Sequence, residues 1–361
     1  MREIGSEYWL ERDTKALSCD RDGIYVLSGR TAIDLIIQDI LKTRKIWNVY
    51  MPAWCCDSML APFLAYGTQI KFYDICHTES TESTEIMCHT DGTDFTDVFY
   101  VTNYFGYENT LPIETVKKFK EKGAVILYDR THSFLMEDDP YLAMADYSFA
   151  SIRKWMGVIG GAVVNGVKDC QLKPCSYLAC KEEAMRMKKA FIEGDESVDK
   201  QAFLSLYGEF GHHLAKDYQN YEMDDLSYAL YKLEDLSAMR RKRKENAQYL
   251  HDNLQGVKFI GELTENAVPL FVPIFFETTE QRNAVRKKLI EAQIYCPIHW
   301  PKPELIPVDF EANKIYDTEL SLICDQRYDL TDMERIITLI NSIKCHTDIT
   351  DDTDAFSCNN H

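Results

Sequence analysis

Between residues 147 and 164 the chain reads YSFASIRKWMGVIGGAVV, which sets Lys154 between an alternating apolar segment and the pair Gly160-Gly161, beside Trp155. Surface lysines usually sit among other charges on a helix face. A lysine held among apolar groups has a lowered pKa and becomes a usable amine nucleophile. One use of such an amine is a Schiff base to a carbonyl cofactor. The plainer use is structural, with the stem packed and the amine snorkelling to water. Three other features bear on the choice. Ser28-Gly29-Arg30-Thr31 separates a short apolar run from an amphipathic segment. The first-turn amides and the dipole of a helix starting there suit an anion, although an ordinary cap by Ser28 or Thr31 has the same pattern. Asp129 closes the apolar run 124–128, and Trp54 follows the run 48–51 through Pro52-Ala53.

Pyridoxal phosphate chemistry asks for this set. The aldehyde needs a lysine amine, the phosphate needs amides and hydroxyls at a helix start, the ring nitrogen needs a carboxylate, and the ring face needs an aromatic or apolar cover. Lys154, the Gly29-Arg30-Thr31 turn, Asp129 and Trp54 would meet those needs together. A purely structural account needs four separate coincidences.

The surrounding pattern supplies elements that could position them. Apolar runs at 24–27, 48–51, 69–73, 98–103, 124–128 and 147–150 read as strands, and segments from Ala32, Asp57 and Ile113 read as helices. Strands alternating with helices imply a mostly parallel sheet covered on both faces, whose ligands bind beyond the C-terminal strand ends. Thr31, Trp54, Asp129 and Lys154 all follow predicted strands. The expected fold is therefore α/β, a large domain over residues 1–235 and a smaller α+β domain over 236–345. Residues 346–361 read as a disordered tail, 76–95 as a loop, and 1–22 as a polar stretch with a short helical lead-in. A long helix is expected over about 226–254, with Arg240-Arg241-Lys242-Arg243-Lys244 on a solvated face. Residues 194–222 are aromatic and polar.

Bulk properties restrict the partners. The 361 residues carry 58 acidic and 40 basic side chains, a net charge of −18, which argues against nucleic acid or an anionic membrane as a main partner. An anionic small substrate would need a local basic pocket. No apolar run is long enough to span a bilayer and the first residues lack a signal-peptide core, so a cytoplasmic protein is expected. Twelve cysteines show no disulfide framework, and Cys170, Cys175 and Cys180, five apart, do not have a zinc spacing; no metal site is expected.

On these residues, over roughly 23–343, the chain resembles the pyridoxal phosphate-dependent nucleotide-sugar aminotransferases of the DegT/StrS family, whose architecture is fold type I. Ser28-Gly29-Arg30-Thr31-Ala32 is similar to the family's phosphate turn, and Pro52-Ala53-Trp54 to the segment whose aromatic stacks on the ring. Asp129-Arg130-Thr131-His132 is similar to the run that pairs an aspartate with the ring nitrogen and sets a histidine near the phenolic oxygen. The segment Ser148 to Lys154 is similar to the one whose lysine forms the internal aldimine and whose serine meets the phosphate. Tyr218-Gln219-Asn220-Tyr221 resembles a segment whose asparagine reaches a neighbouring subunit's phosphate, which implies a homodimer with shared sites. Ser148 stands one residue too far from Lys154, so either Ser148 or Ser151 could take the phosphate role. The family's glutamate after the lysine is absent from Met156-Gly157-Val158-Ile159-Gly160-Gly161, and its arginine after Asn-Tyr is Glu222 here. The resemblance implies transfer of an amino group from an amino acid, L-glutamate above others, to a keto sugar, with Lys154 and Asp129 as the catalytic pair. Arg327 could meet the donor's carboxylate or form a structural ion pair. The alternatives are another pyridoxal phosphate enzyme, either a small keto-acid aminotransferase or a lyase such as a desulfurase using Cys55 or Cys56, and a regulatory protein on the same scaffold.

Overall fold

The six apolar runs and the segment Ala162–Asn165 lie side by side in one sheet, in a computed structural model that describes residues 2–12, 21–75, 96–108 and 111–353, the last ten of these for backbone only. The strands are β1 Ile24–Val26, β2 Asn48–Pro52, β3 Gln69–Tyr73, β4 Val98–Thr102, β5 Val125–Asp129, β6 Tyr147–Ala150 and β7 Ala162–Asn165. Their spatial order is β1-β7-β6-β5-β4-β2-β3. The pairs from β3 to β6 are parallel, and β7 runs antiparallel to both β6 and β1. Every residue of β4 and β5 is buried, as expected of central strands covered on both faces. Helix α1, Gly29–Leu41, packs Ala32, Ile33, Leu35, Ile36, Ile37 and Ile40 inward. Ser28 caps it by accepting from the Thr31 amide. Helix α2, Asp57–Ala65, follows β2.

The glycine pair after Lys154 has a packing reason. A Cβ on Gly160 would meet a Leu27 methyl at 2.7 Å, and the Gly161 amide donates to Leu27 O at 2.7 Å. The chain here must press against the end of β1, and that holds the Lys154 segment over the sheet.

The C-terminal part builds a three-stranded antiparallel sheet from β8 Lys258–Phe259, β9 Val272–Phe275 and β10 Glu319–Leu322. Its core joins Ala247, Leu250, Val272, Leu320 and Ile336. Ile4 belongs to this same core, because Ile4–Gly5 pairs in parallel with Ile294–Tyr295. The described part of the expected helical lead-in therefore holds no helix, only this short strand in otherwise irregular chain. Gly5 makes the pairing possible: at φ +88° a Cβ there would lie 2.4 Å from Tyr295 O.

Other expectations change in detail. Residues 194–222 contain one helix, α4, Lys200–Lys216, which packs beside α3, Leu178–Ile192. The single helix expected over 226–254 is two, Asp225–Lys232 and α5, Leu236–Asn253, the second capped by Asp235. The basic cluster is not wholly solvated. Arg243 is fully buried, donates to Tyr8 Oη, Gln326 Oε1 and Leu270 O at 2.8, 2.9 and 3.0 Å, and lies 4.6 Å from the Trp155 ring. The last helix, Leu330–Thr353, takes in the first eight residues of the expected tail; the rest of that tail and the loop 76–95 lie outside the described residues. Among the described residues the cysteines are free and no helix is long and apolar enough to cross a membrane.

Candidate active site

The C-terminal strand ends open on a cavity of about 210 Å³ lined by Asp129, Lys154, Ser151, His132, Gly29 and Arg30 among others. Asp129 is the last residue of β5. Its Oδ2 accepts from Tyr100 Oη at 2.8 Å and its Oδ1 from the Thr131 amide at 2.9 Å. Burial raises its pKa, against the bonds from Thr131 and Tyr100 and the charge of Lys154. Lys154 closes a single 3-10 turn, Ile152–Lys154, just past β6. Burial lowers its pKa; Cys56 and Asp129 oppose that, and Arg153 adds to it. Among the described residues the Lys154 amine has no hydrogen-bond partner. Thr131 ties the two strand ends together: its Oγ1 accepts from the Ser151 amide at 3.1 Å and its carbonyl from Trp155 Nε1 at 2.6 Å.

The anion turn faces the same cavity in part. Ser28, Gly29 and Arg30 line it. Thr31 is buried behind them, with its hydroxyl 3.0 Å from Ser28 Oγ. Arg30 donates to Leu214 O at 2.7 Å and keeps a buried Nε without a partner. Of the two candidate serines, Ser151 lines the cavity and its buried Oγ has no partner. Ser148 does not reach the cavity; its hydroxyl accepts from Asn165 Nδ2 at 3.2 Å.

Trp54 also falls outside the cavity. It is buried one layer back, stacked on Tyr104 at 4.6 Å and donating to His299 O at 2.8 Å. The indole on the cavity wall is Trp300, stacked on His132 at 5.6 Å. His132 Nδ1 accepts from the Phe105 amide at 3.2 Å, so Nε2 carries the proton. Burial, helped by the charges of Lys154 and His299, holds the His132 pKa far below its usual value, so the ring is neutral. Asn220 lies in a separate, open surface depression, where its Oδ1 accepts from Gln38 Nε2 at 3.0 Å. Arg327 is a structural ion pair: its Nε and Nη2 reach the two Asp325 oxygens at 2.9 and 2.8 Å, and its guanidinium lies 3.9 Å from the Tyr8 ring.

Sequence reasoning missed Thr131, Arg153, Lys181, Glu7 and Trp300 as cavity residues. Thr131 and Arg153 adjoin residues already singled out, and Trp300 stands in the conspicuous His299-Trp300-Pro301 run, but nothing local marks Glu7 or Lys181. Among the described residues no group of three His, Cys, Asp or Glu side chains could hold a metal ion. The donor set suits pyridoxal phosphate instead. An unbonded, depressed lysine amine, an unpartnered Ser151 hydroxyl beside a helix start, and a buried carboxylate at a strand end meet its aldehyde, its phosphate and its ring nitrogen.

Solved structures share this fold. The aminotransferase TlmJ from Streptoalloteichus hindustanus superposes with a TM-score of 0.64 at 14% identity, over 90% of this chain and 86% of that one. The sugar aminotransferase CalS13 from Micromonospora echinospora gives 0.59 at 13% identity, over 88% and 86%. NtdA from Bacillus subtilis, solved with the cofactor PMP bound, gives 0.61 at 16% identity, over 89% and 72%. No curated protein sequence matches the chain. Residues 191–352 match the DegT/DnrJ/EryC1/StrS aminotransferase family. The match spans the C-terminal part of the chain, and the architecture around the lysine–aspartate cavity is the fold type I architecture of those solved aminotransferases.

Proposed function

We propose that this protein is an aminotransferase that takes an amino group from L-glutamate and delivers it to a keto sugar carried on a nucleotide, with Lys154 and Asp129 as its catalytic pair. The observation that carries the reading is the Lys154 amine, free of hydrogen bonds among the described residues, sharing one cavity with Asp129 and the start of α1. Pyridoxal phosphate, when bound, supplies an aldehyde and a ring that accepts the electron pair left when the donor loses its α proton. Lys154 would hold the aldehyde, and its amine, once free, would carry the proton of the donor's α carbon. Burial lowers the pKa of that amine, the direction that favours its neutral form. Asp129, fixed by Tyr100 and Thr131, holds the proton on the ring nitrogen. Neutral His132 donates from Nε2, Trp300 covers the cavity wall, and Ser151 with the Gly29 and Arg30 segment holds the phosphate. The same reading has the enzyme act as a cytoplasmic homodimer, with Asn220 in its surface depression available to a neighbour.

The test is the visible absorption band of the purified holoprotein as amino acids are added singly. L-Glutamate should bleach it, and a keto sugar should restore it. A band that no amino acid bleaches refutes the transaminase reading. A second reading keeps the cofactor but makes the enzyme a lyase with a nucleophilic thiol, since Cys56 lines the cavity with its sulfur 2.9 Å from Ser58 Oγ. Thiol alkylation that spares turnover removes that reading.

A further inference from the structure

The cavity holds more positive charge than a cofactor phosphate at the α1 start uses. Its lining includes the cations Arg30, Arg153, Lys154 and Lys181 against the carboxylates of Glu7 and Asp129, in a chain whose net charge is −18. Arg30 and Ser151 face the α1 start, and Lys154 faces Asp129. Arg153 and Lys181 are left over. Lys181, on α3, is 3% exposed, with its amine 5.0 Å from the Phe210 ring. Arg153 has a buried Nε with no partner. Among the described residues neither side chain makes a hydrogen bond or an ion pair. A buried lysine and a part-buried arginine with no carboxylate in ion-pair contact, Glu7 acting on both only from a distance, are costly unless something anionic meets them.

We infer that Arg153 and Lys181 form a second anion subsite of this cavity, for a carboxylate or phosphoryl group of a substrate, with Glu7 at its mouth as the competing internal carboxylate. The inference rests on the reading above that the α1 start and Lys154 take the cofactor. The placement of Glu7 is deliberate in the fold. Lys188 Nζ donates to Ser6 Oγ at 3.0 Å and to Glu7 O, and Arg327 Nη1 donates to Glu7 O at 3.3 Å, which fixes the backbone while the carboxylate faces the cavity. Desolvation would raise the Glu7 pKa, but the charges of Lys181, Arg153, Lys188 and Arg327 outweigh it and hold the group ionised. Burial and the neighbouring Arg153 push Lys181 down to about 8, which leaves it mostly charged near neutral pH. Glu7 is beyond ion-pair distance of both cations, so it moderates the site without filling it. A planar carboxylate could take two guanidinium bonds from Arg153 and one from Lys181.

The probe is malonate, titrated calorimetrically into the holoprotein. Arg153→Gln and Lys181→Gln should each raise its Kd about tenfold, the cost of about one charged hydrogen bond. Glu7→Gln should lower it severalfold, an outcome that damage to the fold would not produce. No malonate binding to the wild type, or affinities within twofold of it in all three variants, overturns the inference. Half-saturation of bleaching by L-glutamate that rises in Lys181→Gln assigns the anion to the donor; a value unchanged there, with weakened malonate, assigns it to the acceptor, and the subsite stands either way. The failures separate cleanly. Bleaching by L-glutamate with unaltered malonate affinity in the variants refutes only the subsite. Altered malonate affinity in a protein that no amino acid bleaches refutes only the transaminase reading.

Discussion

Replacing Asp129 by asparagine removes the charge and keeps the shape. Asn Oδ1 can still accept from the Thr131 amide, and its amide can donate to the Tyr100 hydroxyl oxygen, which rotates to accept. The cost to folding should be about 1–3 kcal/mol, or a few degrees in Tm, because the buried Tyr100 hydroxyl proton loses its acceptor. The chemistry should suffer separately. Two unit charges about 3 Å apart interact by roughly 5 kcal/mol at an effective dielectric constant of 20. Desolvation cancels part of that, so about 3 kcal/mol remains as the net worth of a charge-assisted bond to the protonated ring nitrogen. At 1.4 kcal/mol per decade this is about a 100-fold loss in the rate of proton removal. Stopped-flow bleaching of the holoprotein by L-glutamate reads that rate directly. A variant that stays folded and retains the cofactor but reacts within threefold of the wild type would refute the role given to Asp129.

The serines should separate. Ser151→Ala should raise the dissociation constant for pyridoxal phosphate about five- to tenfold, one hydrogen bond's worth, whereas Ser148→Ala should leave it unchanged; equal effects would contradict the geometry. Arg327→Ala strands the buried Asp325 carboxylate, whose equally buried partner lies 2.8 Å away. It should cost about 3–5 kcal/mol in denaturant unfolding, with little change in KM for L-glutamate in the protein that remains folded. A large KM effect with unaltered stability would return Arg327 to substrate binding. Glu319 is fully buried and burial pushes its pKa up to about 8, so the folded state keeps a proton that the unfolded state loses near 4.5. Stability should therefore fall as pH rises from about 5 to 8, by up to about 1.4 kcal/mol per pH unit, and this fall should vanish in Glu319→Gln. Parallel pH–stability curves for the two proteins would contradict the assignment.

Much of the seven-stranded sheet was legible because its strands are short apolar runs with chemistry-bearing residues at their ends. The positions of Asp129 at a strand end and Lys154 just past one were readable for that reason, and the glycine pair marked the close approach to Leu27. Position relative to a strand end did not reveal which side chain faces the cavity. Trp54 and Trp300 both suit a ring cover by type, but the stack of Trp54 on Tyr104 takes it into the layer behind. Ser148 sits within β6 and bonds across to β7, whereas Ser151 has left the sheet and turns into the cavity. Glu7 and Lys181 were invisible because they arrive by long-range packing: the chain's first strand docks on Ile294–Tyr295, and α3 packs beside α4. The break at 233–235 was missed because the helical period continues through it, and only the cap at Asp235 marks the restart.

The central claim concerns which amine holds the cofactor, and the cavity contains a rival, since burial also lowers Lys181. Borohydride reduction of the holoprotein, followed by proteolysis and mass analysis, locates the bond. A pyridoxyl mass on Lys154, absent from Lys154→Ala, is the predicted result; the same mass on Lys181 or on another lysine, or a wild type that takes no label, would contradict it.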